Sequence, residues 1–214
     1  MEWFTGWVVR LRWVVIAAFV GITAFFAAYI PNARMDPEVK NQLPTDMPSR
    51  LDLDRIEALF GGTDMTLVLL RAQDVLAPDT LKRLRTLTRR FERLKSVDRV
   101  MSLFTLKDIR SEGGDMIVDP AVGRIPKSAA ARAKLRESLK KNEFVFGNVV
   151  SEDFTTAAII IFKKMSVSDE DLLSAIEQVV KENPGTEQVV YGGMPFIRRT
   201  MSEDMRHDLR LFLP

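Results

Sequence analysis

Two hydrophobic periods run along the chain, and they sort it into strands and helices. From Asp64 to Arg71 the residues read DMTLVLLR, a continuous apolar run of strand length. A polar turn with Pro78 follows. Leu81, Leu84, Leu87, Phe91 and Leu94 then recur at helical spacing, which predicts a helix from about Asp79 to Lys95 with those residues inward. Val97 to Phe104 reads as a second strand. The same order then repeats. DFTTAAIIIF, residues 153 to 162, is a strand, and Ser168 with Asp171 three residues later resembles a capping box. The helix it opens, about Asp169 to Glu182, turns Leu172, Leu173, Ile176, Val179 and Val180 inward until Asn183-Pro184-Gly185 stops it. Glu187 to Tyr191 is the last strand.

Two β-α-β halves in series make β-α-β-β-α-β, the ferredoxin-like split arrangement, in an α+β domain expected over residues 63–193. Both helices have one apolar stripe, so both can cover the same face of a four-stranded sheet. The continuous apolar runs at Leu67–Leu70 and Ile159–Phe162 suit central strands. An insert of about residues 105–152 separates the halves. Its first part, KDIRSEGGDMIVDPAVGRIP, reads as loop. Its second, SAAARAKLRESLKKN, reads as a charged surface helix, docked by Phe144, Val145 and Phe146.

The flanks have patterns of their own. Arg12 and Arg34 bracket 21 uncharged residues. A helix of ~20 apolar residues matches a bilayer's hydrocarbon core, so residues 13–33 are expected to be a retained transmembrane helix rather than a cleaved signal. Trp3, Trp7, Trp13 and Tyr29 lie near its ends, and the basic leader, residues 1–12, places the N-terminus in the cytoplasm. Residues 34–62 form a connector with three prolines, then a helix opened by Pro48, with Leu53, Ile56, Leu59 and Phe60 on one face and Gly61-Gly62 at its end. Residues 194–214 read as an amphipathic helix, with Ile197, Met201, Met205, Leu209 and Leu213 every four residues.

Composition removes several classes. Lys and Arg number 31 against 29 Asp and Glu, a net charge of +2, a balance that argues against a nucleic-acid role, which would need a concentrated basic face. Without a single Cys, thiolate catalysis, disulfides, Cys-ligated zinc and iron–sulfur clusters are excluded.

In order along the chain stand the basic leader and apolar span, Gln42-Leu43-Pro44-Thr45-Asp46-Met47-Pro48, Leu59-Phe60-Gly61-Gly62, Tyr191-Gly192-Gly193-Met194-Pro195-Phe196 and the closing amphipathic helix. This set resembles the N-terminal portion of a resistance-nodulation-division (RND) superfamily exporter, of the MMPL-type or predicted-exporter branch. The resemblance implies a bacterial inner-membrane protein whose first span leads to a periplasmic porter domain. It implies proton-driven export of hydrophobic or amphiphilic, lipid-like molecules. The partners it implies are the lipid bilayer, the remaining spans, a second porter domain and a homo-oligomer. By the same resemblance the final LFLP approaches a second span that this sequence does not include.

Candidate chemistry is sparse. Glu203, Asp204, His207 and Asp208 stand at i, i+1, i+4 and i+5 of the last helix, so carboxylates and an imidazole are one-turn neighbours that could contribute to a metal site. A solvated helix face explains them as well, because no other cluster completes a four-ligand shell. His207 lacks a nucleophile partner, and none of the glycine pairs has phosphate-loop spacing. Asp115 with Asp119 and Glu152 with Asp153 are acidic loop pairs. Lys82, Arg83, Arg85, Arg89, Arg90 and Arg93 form the outer side of a helix, solvated or facing anionic headgroups. No cofactor and no enzyme activity are expected. The alternative to an exporter domain is a membrane-anchored binding or adaptor module.

Overall fold

The computed structural model describes residues 12–29, 43–60, 62, 64–112 and 115–212. The leader up to residue 11, the connector up to residue 42, Gly61, Gly113, Gly114 and Leu213 lie outside the described residues, as do the side chains of Leu209 and Asp115. The chain divides into two compact units, Met1–Pro37 and Glu38–Pro214.

The first unit contains helix α1 (Arg12–Tyr29). Here the expectation of a transmembrane helix over 13–33 is corrected: among the described residues, no helix is long and apolar enough to cross a membrane. The 18 residues of α1 start on a charged residue, Arg12, and end at Tyr29. They rise about 27 Å at 1.5 Å per residue, short of the ~30 Å hydrocarbon core even with Arg12 included. Residues 30–33 lie outside the described residues. The inner-membrane placement, with a cytoplasmic N-terminus and a periplasmic domain, rested on that span and is withdrawn with it.

The second unit is an α+β domain. Its elements in order are α2 (Pro48–Phe60), β1 (Met65–Arg71), α3 (Pro78–Glu92), β2 (Val97–Met101), β3 (Lys107–Glu112), β4 (Asp115–Pro120), α4 (Ala129–Lys140), β5 (Thr156–Lys163), α5 (Asp169–Glu182), β6 (Gln188–Gly193) and α6 (Met194–Phe212). Four strands form one antiparallel sheet in the order β2-β5-β1-β6. The two apolar runs are its centre, paired so that Val68 lies opposite Ile159 and Leu67 opposite Ile160. Each of these strands has a neighbour on both sides, and the face turned to α3 and α5 needs apolar residues.

Alternation along β1 separates the faces. Thr66, Val68 and Leu70 are fully buried, as are Ile159 and Ile161 on β5. They meet Leu81, Leu84, Leu87 and Phe91 of α3 and Leu172 and Ile176 of α5 in one core. Pro78 opens α3 where a missing N–H costs nothing. The Ser168 side chain accepts from the Asp171 N–H at 3.1 Å and caps α5.

The insert differs from its expected form. Its first part is not loop but a hairpin, β3–β4, in register from Lys107 opposite Pro120 to Glu112 opposite Asp115. A Gly-Gly pair between two six-residue strands is a hairpin signal, masked here by the acidic and basic residues around it. Its second part is helical, capped by Ser128. Asp74 binds this helix through Arg136 at 2.9 Å and Arg132 at 3.4 Å. Val145 is buried and the Phe146 ring stands 5.8 Å from that of Phe154, but Phe144 is 77% exposed and docks nothing.

Candidate functional site

The side of the sheet turned away from α3 and α5 is apolar. Residues opposite one another on antiparallel strands point to the same side. Met65, Leu67 and Leu69 are therefore joined there by Phe162, Ile160 and Ala158 of β5, by Gly192 and Val190 of β6, and by Met101 of β2. Met65 is exposed, and Leu67, Leu69, Ile160, Phe162, Val190 and Met101 are half-buried. A charged group borders the patch: the Arg99 guanidinium stands 4.4 Å from the centre of the Phe162 ring.

Gly193 sets where β6 leaves this face. Its φ of +98° is one that side chains rarely adopt, and a Cβ there would run into the Met65 carbonyl oxygen. The chain turns directly into α6. The first turns of α6 are fixed. The Phe196 ring stacks on Tyr191 at 4.9 Å. Arg198 donates from Nε to Asp169 at 2.6 Å and from its terminal nitrogens to Asp64. Lys163 binds Asp169 and lies 4.0 Å from Asp64. Arg199 bonds to Glu177. The start of β1, the end of β5, the first turn of α5 and α6 thus meet in one four-residue ion network. Burial tends to raise the Asp169 pKa, but hydrogen bonds from Arg198 and Lys163 outweigh it and hold the group below the usual carboxylate range. Burial likewise opposes the Arg198 charge, and its bonds to Asp64 and Asp169 more than offset this.

Beyond that network α6 is open. Met194, Ile197, Met201 and Met205 are each nearly half exposed along one stripe. Glu203, Asp204, His207 and Asp208 are all exposed. Glu203 lies 3.9 Å from Arg199. Among the described residues no group of three or more His, Cys, Asp or Glu side chains converges as a metal site would require. Glu152 is exposed, and Asp153 is taken up in a local turn, accepting from Ser151 Oγ and from the Thr155 N–H and Oγ1. These bonds hold its pKa at about 2.

The basic run on α3 is sorted by the fold. Arg83 is nearly buried, bonded to Glu187 at 2.7 Å and to the Asn183 carbonyl at 3.0 Å. Lys82 pairs with Asp79 at 2.8 Å. Arg85 and Arg89 line a small cavity. The helical period placed all of these on one outer side and did not separate them.

In class, then, the second unit is an α+β domain with a half-open apolar sheet face and a partly anchored amphipathic helix. No protein-family model matches the chain, and no curated protein matches it.

Proposed function

We propose that this domain is a non-catalytic, porter-type domain that binds hydrophobic or amphiphilic, lipid-like molecules on its open sheet face, as one wall of the substrate pathway in an RND-type exporter. The strand order β2-β5-β1-β6, with β-α-β units on either side of an insert, supports reading the fold as ferredoxin-like. The observation that carries the function is the apolar, half-open patch centred on Leu67, Leu69, Ile160 and Val190, bordered by the Arg99 cation. Such a surface offers burial to an alkyl chain and a charge to an anionic head. The RND resemblance points the same way.

The test is binding of a fluorescent fatty-acid probe to the full chain. Saturable enhancement, lost in Ile160→Glu and reduced in Leu69→Asn, is expected. Equal binding by all three proteins would end this reading. A protein-binding adaptor role is the second reading, favoured by the exposed Met194–Ile197–Met201–Met205 stripe. It predicts that a Met201→Glu, Met205→Glu pair abolishes partner capture while probe binding persists.

A further inference from the structure

A cavity of about 130 Å³ opens between α3, the turn after β2 and the turn after β4. Arg85, Thr88, Arg89 and Glu92 form one wall, Phe104 and Thr105 a second, and Pro120, Val122 and Gly123 a third. Its volume is that of about four waters at ~30 Å³ each. It belongs to the helix layer of the domain and owes nothing to the open sheet face.

The polar groups of the walls divide into satisfied and free. Thr88 is buried and donates to Ser102 Oγ at 3.1 Å. Thr105 Oγ1 accepts from the Ser102 N–H at 2.8 Å. Arg85 and Arg89 make no hydrogen bond or ion pair to any described residue. Arg85 is half-buried, with its guanidinium 5.8 Å from the centre of the Phe104 ring, so its direction is constrained. Four residues apart on a helix, the two arginines emerge one turn from each other on the same face. Two unpaired guanidinium groups on one small cavity present fork-shaped donors to an oxyanion, which both can bind and whose charge relieves their repulsion. Phe104 and Val122 supply apolar contact for a carbon substituent. Glu92 leaves the site with one net positive charge, which suits a singly charged ligand.

We propose that this cavity is a binding site for a small oxyanion, a phosphoryl or carboxylate group, held by Arg85 and Arg89 against the Phe104 ring.

The experiment is an NMR titration of the full chain with inorganic phosphate and, separately, with benzoate, in low-chloride buffer at constant ionic strength. Amides of Thr88, Thr105 and Gly123 should shift and saturate, with a dissociation constant of about a millimolar. Loss of one charge-assisted hydrogen-bonding group should weaken binding about ten-fold in Arg85→Gln and in Arg89→Gln. Arg90→Gln, which removes an exposed charge one residue away, should change it less than two-fold. Saturation by phosphate alone identifies a phosphoryl site, and saturation by benzoate alone a carboxylate site. No saturation by either, or equal weakening in all three variants, overturns the proposal.

Discussion

Replacing Arg198 with Met tests whether the ion network sets the position of α6. Met fills most of the arginine's volume and removes its charge. The Arg198 side chain is 11% exposed, while Asp64 and Asp169 are 27% and 24% exposed. Breaking a buried pair by removing one partner costs roughly 3–5 kcal/mol. Here the two carboxylates keep Lys163 and some contact with water, which lowers the cost to about 2–3 kcal/mol. Urea denaturation followed by circular dichroism measures it as a lower midpoint at unchanged slope. Hydrogen exchange adds the local reading. Amides of 196–200 should lose protection well before those of β1 and β5, because the start of the helix would then lack its ion network and keep only its remaining packing and the Arg199 pair. Arg198→Lys should recover part of the loss. A cost below about 0.5 kcal/mol, a surface value, together with unchanged exchange in α6 would refute the reasoning.

Adjacent glycines should behave differently. Gly193→Ala should cost about 2–4 kcal/mol, from the positive φ and the collision with the β1 backbone. Gly192→Ala, whose Cβ would meet Leu67 Cβ at an ordinary 3.7 Å, should cost less than about 1 kcal/mol. Paired thermal melts check both. The buried Thr66 hydroxyl has no hydrogen-bond partner among the described residues. Thr66→Val should therefore be neutral or stabilising by about 1 kcal/mol in urea titrations. Burial tends to raise the Glu187 pKa, but bonds from Arg83 and Thr80 leave it below its ordinary value. Its contribution should be complete above the unfolded value of about 4.3 and fade as pH falls through the lower folded value. Glu187→Gln should flatten the acid limb of the stability profile measured there.

The core of the fold was legible because it follows from period alone. The stripe Leu81, Leu84, Leu87 and Phe91 and the alternate residues Ile159 and Ile161 all turn into one core, and all are buried. The hairpin at 107–120 was hidden because its strands, KDIRSE and DMIVDP, carry no sustained apolar alternation to mark them. The span expected over 13–33 was read from an uncharged run, which sets only the longest helix allowed; among the described residues the helix is Arg12–Tyr29 and none is long and apolar enough to cross a membrane. The candidate ligands on α6 were legible as a pattern, yet spacing along one helix gives no information about a second element, and among the described residues none brings a further ligand. The sorting of Arg83 from Arg85 and Arg89 depended on Glu187 and Phe104, which are distant in sequence and visible only once the chain is folded.

Methyl NMR of the full chain with a lipid-like amphiphile tests the central claim most directly. Leu67, Leu69, Ile160 and Val190 should shift together and saturate, while Val68, Ile159 and Leu84 on the opposite side hold still. Shifts confined to α6, or spread evenly over both faces of the sheet, would contradict it.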